Sequence, residues 1–262
     1  MKDVPTELEP GADEEEPEAE SGKMSFLEHL DELRRRLLHV VAYIGIGFVL
    51  CFAFAKHIYH FIAVPITKSL GTNKLAYTNP TDPFTIYMKV AFIAGIFLTI
   101  PLTLYEVWKF IAPGLYRKEK KYIVPFLVSS VFLFLLGGAF CYYIVLPQTY
   151  AFLIGLGSDF TPVIKIDEYL DLTNMMLLGF GLIFEMPIIV AFLSIFGLVS
   201  AQFLWKKFKY SIVIIVALAA VISPSGDAFN LMIWSVPMIM LYIISIGVAA
   251  IFGWRRKKKG LV

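Results

Sequence analysis

Charged residues are scarce in this chain: they make up 17% of its 262 residues, where a typical soluble domain carries about 25%. Hydrophobic residues make up 58%, aromatics 15%, and the mean hydropathy is +0.72. That balance argues against a soluble globular enzyme and against disorder over most of the length. Cysteine is nearly absent. Cys51 and Cys141 both lie in apolar runs, so a disulfide framework is excluded; pairing is conceivable, and two buried free thiols are the simpler expectation. No Gly-x-x-x-x-Gly-Lys-Ser/Thr loop occurs, so ATP binding is not read here. No Gly-x-Ser-x-Gly elbow occurs either. The four histidines are His29, His39, His57 and His60; the last two are three apart but lack a third ligand, so no metal is expected. Nothing points to a catalyst, a cofactor or a nucleic-acid partner.

The few charges are unevenly placed. Residues 1–22 hold nine acids against the single base Lys2, a net charge of −8, and the remaining 240 residues carry +10. With Pro5, Pro10 and Pro17 and almost no large apolar residue, 1–22 reads as a disordered acidic tail, solubilising or regulatory. It lacks the basic start and apolar run of a secretory signal. Residues 23–262 read as one membrane domain with six apolar segments at about 37–56, 84–108, 122–146, 172–197, 209–222 and 228–253. Four exceed the roughly 20 residues that cross a ~30 Å hydrocarbon core, the first stands at that threshold, and the fifth is short. If all six span and the N-terminus is inside, 18 of the 23 Lys and Arg fall inside and 5 outside. That bias predicts both termini on the cytoplasmic side and supports counting the fifth segment as a span.

The outside connections 57–83 and 147–171 are long. The first carries the aromatic and aliphatic stretch His57 to Ile66, expected at the interface, with Pro65 as a structural turn. Ser223-Pro224-Ser225-Gly226-Asp227 is tight enough to force spans five and six antiparallel, with Asp227 as the helix cap of span six. Pro101, Pro125, Pro147, Pro187 and Pro237 fall within or near the ends of spans and predict bent helices around a concave, all-α bundle.

Three groups carry chemistry. Met24 to Leu37 is amphipathic: Phe26, Leu30, Leu33 and Leu37 recur at helical spacing and are expected on the inner membrane surface. Glu32 with Arg36, and Asp31 with Arg35, have the i, i+4 spacing of structural ion pairs. The loop Trp108 to Lys121 is basic with one acid, Glu119, which also suits the start of span three. Glu185 lies near the middle of span four with no base nearby, at a cost of roughly 3 kcal/mol if charged. It is either neutral and hydrogen-bonded in the bundle or faces a wet cavity or polar partner. Glu106, near the inner end of span two, is expected to reach the interface.

The run His29-Leu30-Asp31-Glu32-Leu33-Arg34-Arg35-Arg36-Leu37 resembles the amino-terminal signature of the TatC family, the core subunits of the twin-arginine protein translocase. Tyr105-Glu106-Val107-Trp108-Lys109-Phe110-Ile111-Ala112-Pro113-Gly114-Leu115-Tyr116, followed by Glu119, is similar to the family's first cytoplasmic loop. Phe184-Glu185-Met186-Pro187 and Ser223 to Asp227 match its fourth-span and final-turn positions. Two features depart from the pattern: the acidic tail, and Glu106, where glutamine is also common. The resemblance implies a glove-like bundle with short spans five and six in the bacterial plasma (inner) membrane. It implies a receptor and core for folded proteins whose signal peptides carry paired arginines, driven by the proton-motive force. Glu32 and Glu119 would receive the arginines, with Phe110 and Arg34 beside them. Small single-span subunits of the TatA and TatB types would bind along span five and near Glu185, and self-association is expected. Two rivals stand beside this reading. Glu185 alone would fit a proton-coupled solute transporter, although no internal repeat is evident. A structural scaffold would not explain acids inside two otherwise basic segments.

Overall fold

The computed structural model describes residues 26–71, 75–112, 123–160, 163–222 and 227–258; the acidic tail, Glu119 and most of the Ser223–Asp227 turn lie outside them. The described residues form eleven α-helices and one isolated bridge. Inside hydrocarbon a backbone has no water to bond, so its polar groups must pair within the segment, which is why apolar runs of this length become helices. Five are long and apolar enough to cross a membrane, and the protein is a multi-pass membrane protein.

The first span is α1, Phe26–Phe52. No glycine or proline interrupts it before Gly45, so the helix runs unbroken from the amphipathic segment into the span. This corrects the expected surface-lying helix: at 27 residues α1 is about 40 Å long, and its first turns extend the span axis rather than lie flat. Two short helices follow, α2 (Ala55–Ile62) and α3 (Val64–Leu70), with Pro65 in the first turn of α3. They form a cap whose inner side is buried and whose outer side, with His57, His60 and Phe61, is exposed. Ile62, Pro65, Ile66 and Leu70 are buried. Tyr142 donates its hydroxyl to the Phe61 carbonyl at 2.6 Å, and Tyr169 donates to the Ile62 carbonyl at 2.5 Å. Residues 75–77 add a parallel bridge: the Ala76 N–H donates to the Ile164 carbonyl and the Ile166 N–H to the Ala76 carbonyl, both at 2.9 Å.

Span two is α4, Asp82–Ile111, with Pro101 inside it. Span three joins α5 (Ile123–Phe140) to α6 (Leu146–Leu156) through a π-helical turn, Cys141–Val145. Pro147 explains that turn, because it has no N–H to continue the ladder. The Leu146 N–H instead reaches back to the Cys141 carbonyl. Span four is α7 (Ile166–Ile183) and α8 (Met186–Ile195), broken at Phe184–Glu185, where Pro187 in the first turn of α8 cannot serve the Ile183 carbonyl. The six-residue α9 (Ala201–Lys206) is capped by Ser200, whose hydroxyl accepts from the Phe203 N–H at 3.2 Å. It leads to the short fifth span α10, Phe208–Ile222. The sixth, α11, runs Ala228–Lys258. At 31 residues it is not short, so the expected shortness is confined to span five, which at 15 residues reaches about 22 Å.

The core lies between α5, α6, α7 and α11, where Leu146, Tyr169, Leu170, Met176, Phe180 and Trp234 are fully buried. Cys51 and Cys141 are both free and buried. α1 packs chiefly on α4 and leaves Leu37, Val41 and Val49 exposed as a lipid-facing stripe. Without a hydrophobic gain between helices, close backbone approach sets such contacts. Gly47 and Gly95 provide it: a β-carbon on Gly95 would sit 2.7 Å from the Phe48 nitrogen, and one on Gly47 would sit 2.8 Å from the Gly95 carbonyl oxygen. A Gly95→Val substitution is therefore expected to destabilise the α1–α4 pair by about 1–3 kcal/mol. Gly45→Ala, at a position with no neighbour within 4 Å, should be neutral; thermal unfolding in detergent separates the two, and equal melting temperatures would refute the close-approach account.

Candidate functional site

The densest polar cluster lies where α1 begins and α4 ends. Helical phase puts Glu32, Arg36, His39 and Tyr43 along one stripe of α1, and α4 carries Glu106 against it. Arg36 is divided between two acids: Nη2 donates to Glu32 Oε1 at 3.0 Å, and Nη1 donates to Glu106 Oε2 at 2.9 Å. The Tyr43 hydroxyl donates to Glu106 Oε1 at 3.4 Å, and His39 Nδ1 lies 3.7 Å from the same oxygen. The side chains of Glu32, Arg36 and Glu106 are 12%, 14% and 4% exposed. Glu106 therefore does not reach the interface as expected; a complete partner set makes its burial tolerable. Asp31 and Arg35 form no ion pair with each other in the described structure, in contrast to the expected second i, i+4 pair.

The cluster is not saturated. Glu32 Oε2 and Arg36 Nε are buried without a hydrogen-bond partner among the described residues. His39 and Lys109 also face Glu106, so the cluster gathers acids and bases of α1 and α4 around one arginine. His29, one turn before Glu32, stacks on Phe110 with centroids 4.4 Å apart and planes 19° apart. Arg34 is exposed on the same stretch of helix. Glu119 lies outside the described residues, nine positions beyond Phe110.

Glu185 occupies the break in span four and is 9% exposed. The Ser130 hydroxyl of α5 is its hydrogen-bonding neighbour, Ser130 in turn accepts from Trp108 Nε1 at 3.4 Å, and Glu185 Oε1 has no partner. The polar contact thus links spans two, three and four. Phe184 and Pro187, on either side of Glu185, line an apolar cavity of about 500 Å³ that Phe126, Leu133, Ile244 and Val248 also border. Asp227 caps α11, its Oδ1 accepting from the Asn230 N–H at 2.9 Å.

Two features escaped the sequence reading. The first is that Arg36, rather than Arg34 or Arg35, meets Glu106; helical phase relative to α4 selects it, and that phase is not visible without the partner helix. The second is an ion triad at the opposite membrane face. Lys89 of α4 binds Asp167 at 2.5 Å and Asp171 at 2.7 Å, both on α7. The available signal was an i, i+4 acid pair at the start of one span and a lysine seven residues into another. Among the described residues no group of three His, Cys, Asp or Glu side chains could hold a metal ion.

Comparison with known proteins follows the same geometry. The sequence model of the family described as Sec-independent protein translocase protein (TatC) matches residues 28–237. A Sec-independent protein translocase protein TatC from Koribacter versatilis (strain Ellin345) is 50% identical over 240 residues, covering 90% of this chain and 89% of the relative. Another, from Desulforapulum autotrophicum, is 38% identical over 242 residues, covering 92% of this chain and 88% of the relative. A crystal structure of the twin arginine translocase receptor TatC superposes with a TM-score of 0.75 at 37% identity, covering 84% of this chain and 97% of that one.

The Lys89 triad supplies a test of its own. Lys89→Met leaves Asp167 and Asp171 as an uncompensated pair of like charges one turn apart, on the helix whose first residues carry the Ala76 bridge. Faster amide exchange at Ala76 and Ile166, with unchanged exchange in the α8–α11 contact, is the expected result; uniform exchange throughout would show that the triad does not hold the cap.

Proposed function

We propose that this chain, which belongs to the TatC family of Sec-independent protein translocases, is the membrane-embedded receptor and core of a twin-arginine translocation complex. It takes up the paired arginines of signal peptides and supports passage of folded proteins across the membrane. The observation that carries this reading is Glu32, held almost buried one turn after His29, which stacks on Phe110, with one carboxylate oxygen unpartnered. A guanidinium presents a planar fork of donors that matches a carboxylate, which an ammonium cannot do. Glu119 would receive the second arginine, Phe110 would pack beside the peptide, and Arg34 would border the site. Charge-assisted hydrogen bonds of about 1.5–3 kcal/mol each give recognition without irreversible capture.

The same reading places both termini on the cytoplasmic side of a bacterial plasma membrane, supported by the 18:5 division of Lys and Arg. Single-span subunits of the TatA and TatB types would dock along α10 and near Glu185, and copies of the chain would associate. In support, α10 presents Tyr210, Val213, Ile214, Leu218 and Val221 as exposed apolar residues, and the Glu185 carboxylate retains an unpartnered oxygen for an incoming polar group. The proton-motive force would supply about 2.3 kcal/mol per charge per 100 mV.

Removing Glu32 leaves Arg36 paired with Glu106, so the fold tolerates the change. Glu32→Ala combined with Glu119→Ala is expected to lower crosslinking to a twin-arginine signal peptide by at least about tenfold, from the loss of one or more charge-assisted bonds. The protein should remain folded in the membrane, and a two-lysine peptide should crosslink poorly to wild type and variant alike. Undiminished crosslinking of the arginine peptide to the double variant would overturn the assignment.

A further inference from the structure

We infer that Arg36 is an internal placeholder for the incoming guanidinium, and that Glu106 is the positioning residue that lets it yield. The inference rests on the reading of the Glu32 cluster as the signal-peptide site and deepens it. Glu32, the acid expected to receive an arginine, already binds one: Arg36 Nη2 lies 3.0 Å from its Oε1. An incoming guanidinium must therefore compete with Arg36. Were Glu32 the only acid at Arg36, displacement would strand a buried guanidinium, which is strongly disfavoured. Arg36 is not so placed. Its Nη1 donates to Glu106 Oε2 at 2.9 Å, and the Glu106 side chain is 4% exposed, with Tyr43 holding its other oxygen. Arg36 can release Glu32 and keep Glu106.

Charge points the same way. Glu106 faces His39 and Lys109 besides Arg36, and it is the acid that can hold Arg36 once Glu32 is given up. With glutamine at 106 that hold is weaker, and Arg36 stays on Glu32. Glu106 thus tunes the affinity for a cation bound at Glu32 without touching that cation. The two unpartnered atoms, Glu32 Oε2 and Arg36 Nε, are what a site left ready for exchange would show: the acid has an oxygen to offer, and the resident arginine is held through its terminal nitrogens alone.

The test is binding of fluorescent twin-arginine and two-lysine signal peptides to the full chain in nanodiscs. Glu106→Gln is expected to weaken twin-arginine binding about tenfold, the cost of one charge-assisted hydrogen bond, while Glu106→Asp stays close to wild type. The double variant Arg36→Gln with Glu106→Gln frees Glu32 from its resident partner while restoring a single negative charge, and is expected to regain most of the lost affinity. A merely structural Glu106 would leave the double variant as weak as Glu106→Gln or weaker, and that result overturns the inference. So does a Glu106→Gln variant that binds like wild type. Wild-type protein that fails to prefer the arginine peptide would instead overturn the receptor reading. Thermal unfolding of each variant in the same nanodiscs separates lost binding from misfolding, since the double variant leaves the Glu32 carboxylate without the arginine that binds it.

Discussion

Within a hydrocarbon core a polar group that lacks a protein partner has none, and this constraint organises the whole molecule. It makes the apolar runs helical. It also decides where irregular backbone is allowed. The π-turn at Cys141–Val145 and the break at Phe184–Glu185 both sit within the bundle, with Cys141, Val145, Phe184 and Glu185 buried. The phenols of Tyr142 and Tyr169 show the same rule from the other side: their hydroxyls reach the Phe61 and Ile62 carbonyls at the end of α2. A short, otherwise marginal helix pair is thereby fixed against spans three and four.

Polar side chains follow the same constraint, and they gather at three places. In one, Arg36 joins α1 to α4 through Glu32 and Glu106. In the second, near the other end of α4, Lys89 joins α4 to α7 through Asp167 and Asp171. In the third, Glu185 neighbours Ser130, which also takes the indole N–H of Trp108. α4 takes part in every one of these contacts. It is the helix that ties the lipid-exposed α1 to the rest of the bundle, and the glycine contact at Gly47 and Gly95 brings the two backbones close enough for Arg36 to bridge them. Packing and ion pairing therefore depend on each other: the arginine reaches Glu106 only because the glycines allow the approach.

Much of this was legible in the sequence. Apolar length revealed five spans, the division of Lys and Arg argued for the short fifth segment as another, and the proline positions marked the irregular segments of spans three and four. What escaped is what depends on relations between helices. The amphipathic segment before Leu37 has the pattern of a surface helix, yet the absence of any breaker before Gly45 lets it continue into the span, and helix propagation won over amphipathicity. Glu106 was read by its distance from the membrane boundary, when its burial depends on a partner seventy residues away in sequence. The His57–Ile66 stretch was read from composition, which does not show that its Phe61 and Ile62 carbonyls take hydrogen bonds from tyrosines of spans three and four. The length of α11 exceeded the expected short span because its apolar helix formers outweigh Pro237, Gly247 and Gly253, and a single proline can be carried within a membrane helix.

The resident arginine explains why such a site would choose arginine over lysine. Arg36 meets Glu32 through one terminal nitrogen, at 3.0 Å, and Glu106 through the other, at 2.9 Å. An incoming guanidinium would meet Glu32 through nitrogens of the same kind while Arg36 stays on Glu106, a match that a compact, strongly hydrated ammonium does not make. One turn before Glu32, His29 stacks on Phe110, and aromatic faces are surfaces on which guanidinium planes stack well. Burial sharpens the preference. A guanidinium is more weakly hydrated than an ammonium, so it loses less on entering a site where the carboxylates are only 12% and 4% exposed. Selectivity for arginine at Glu32 then needs no contact dedicated to rejecting lysine; it follows from asking a ligand to take the place of a residue of its own kind.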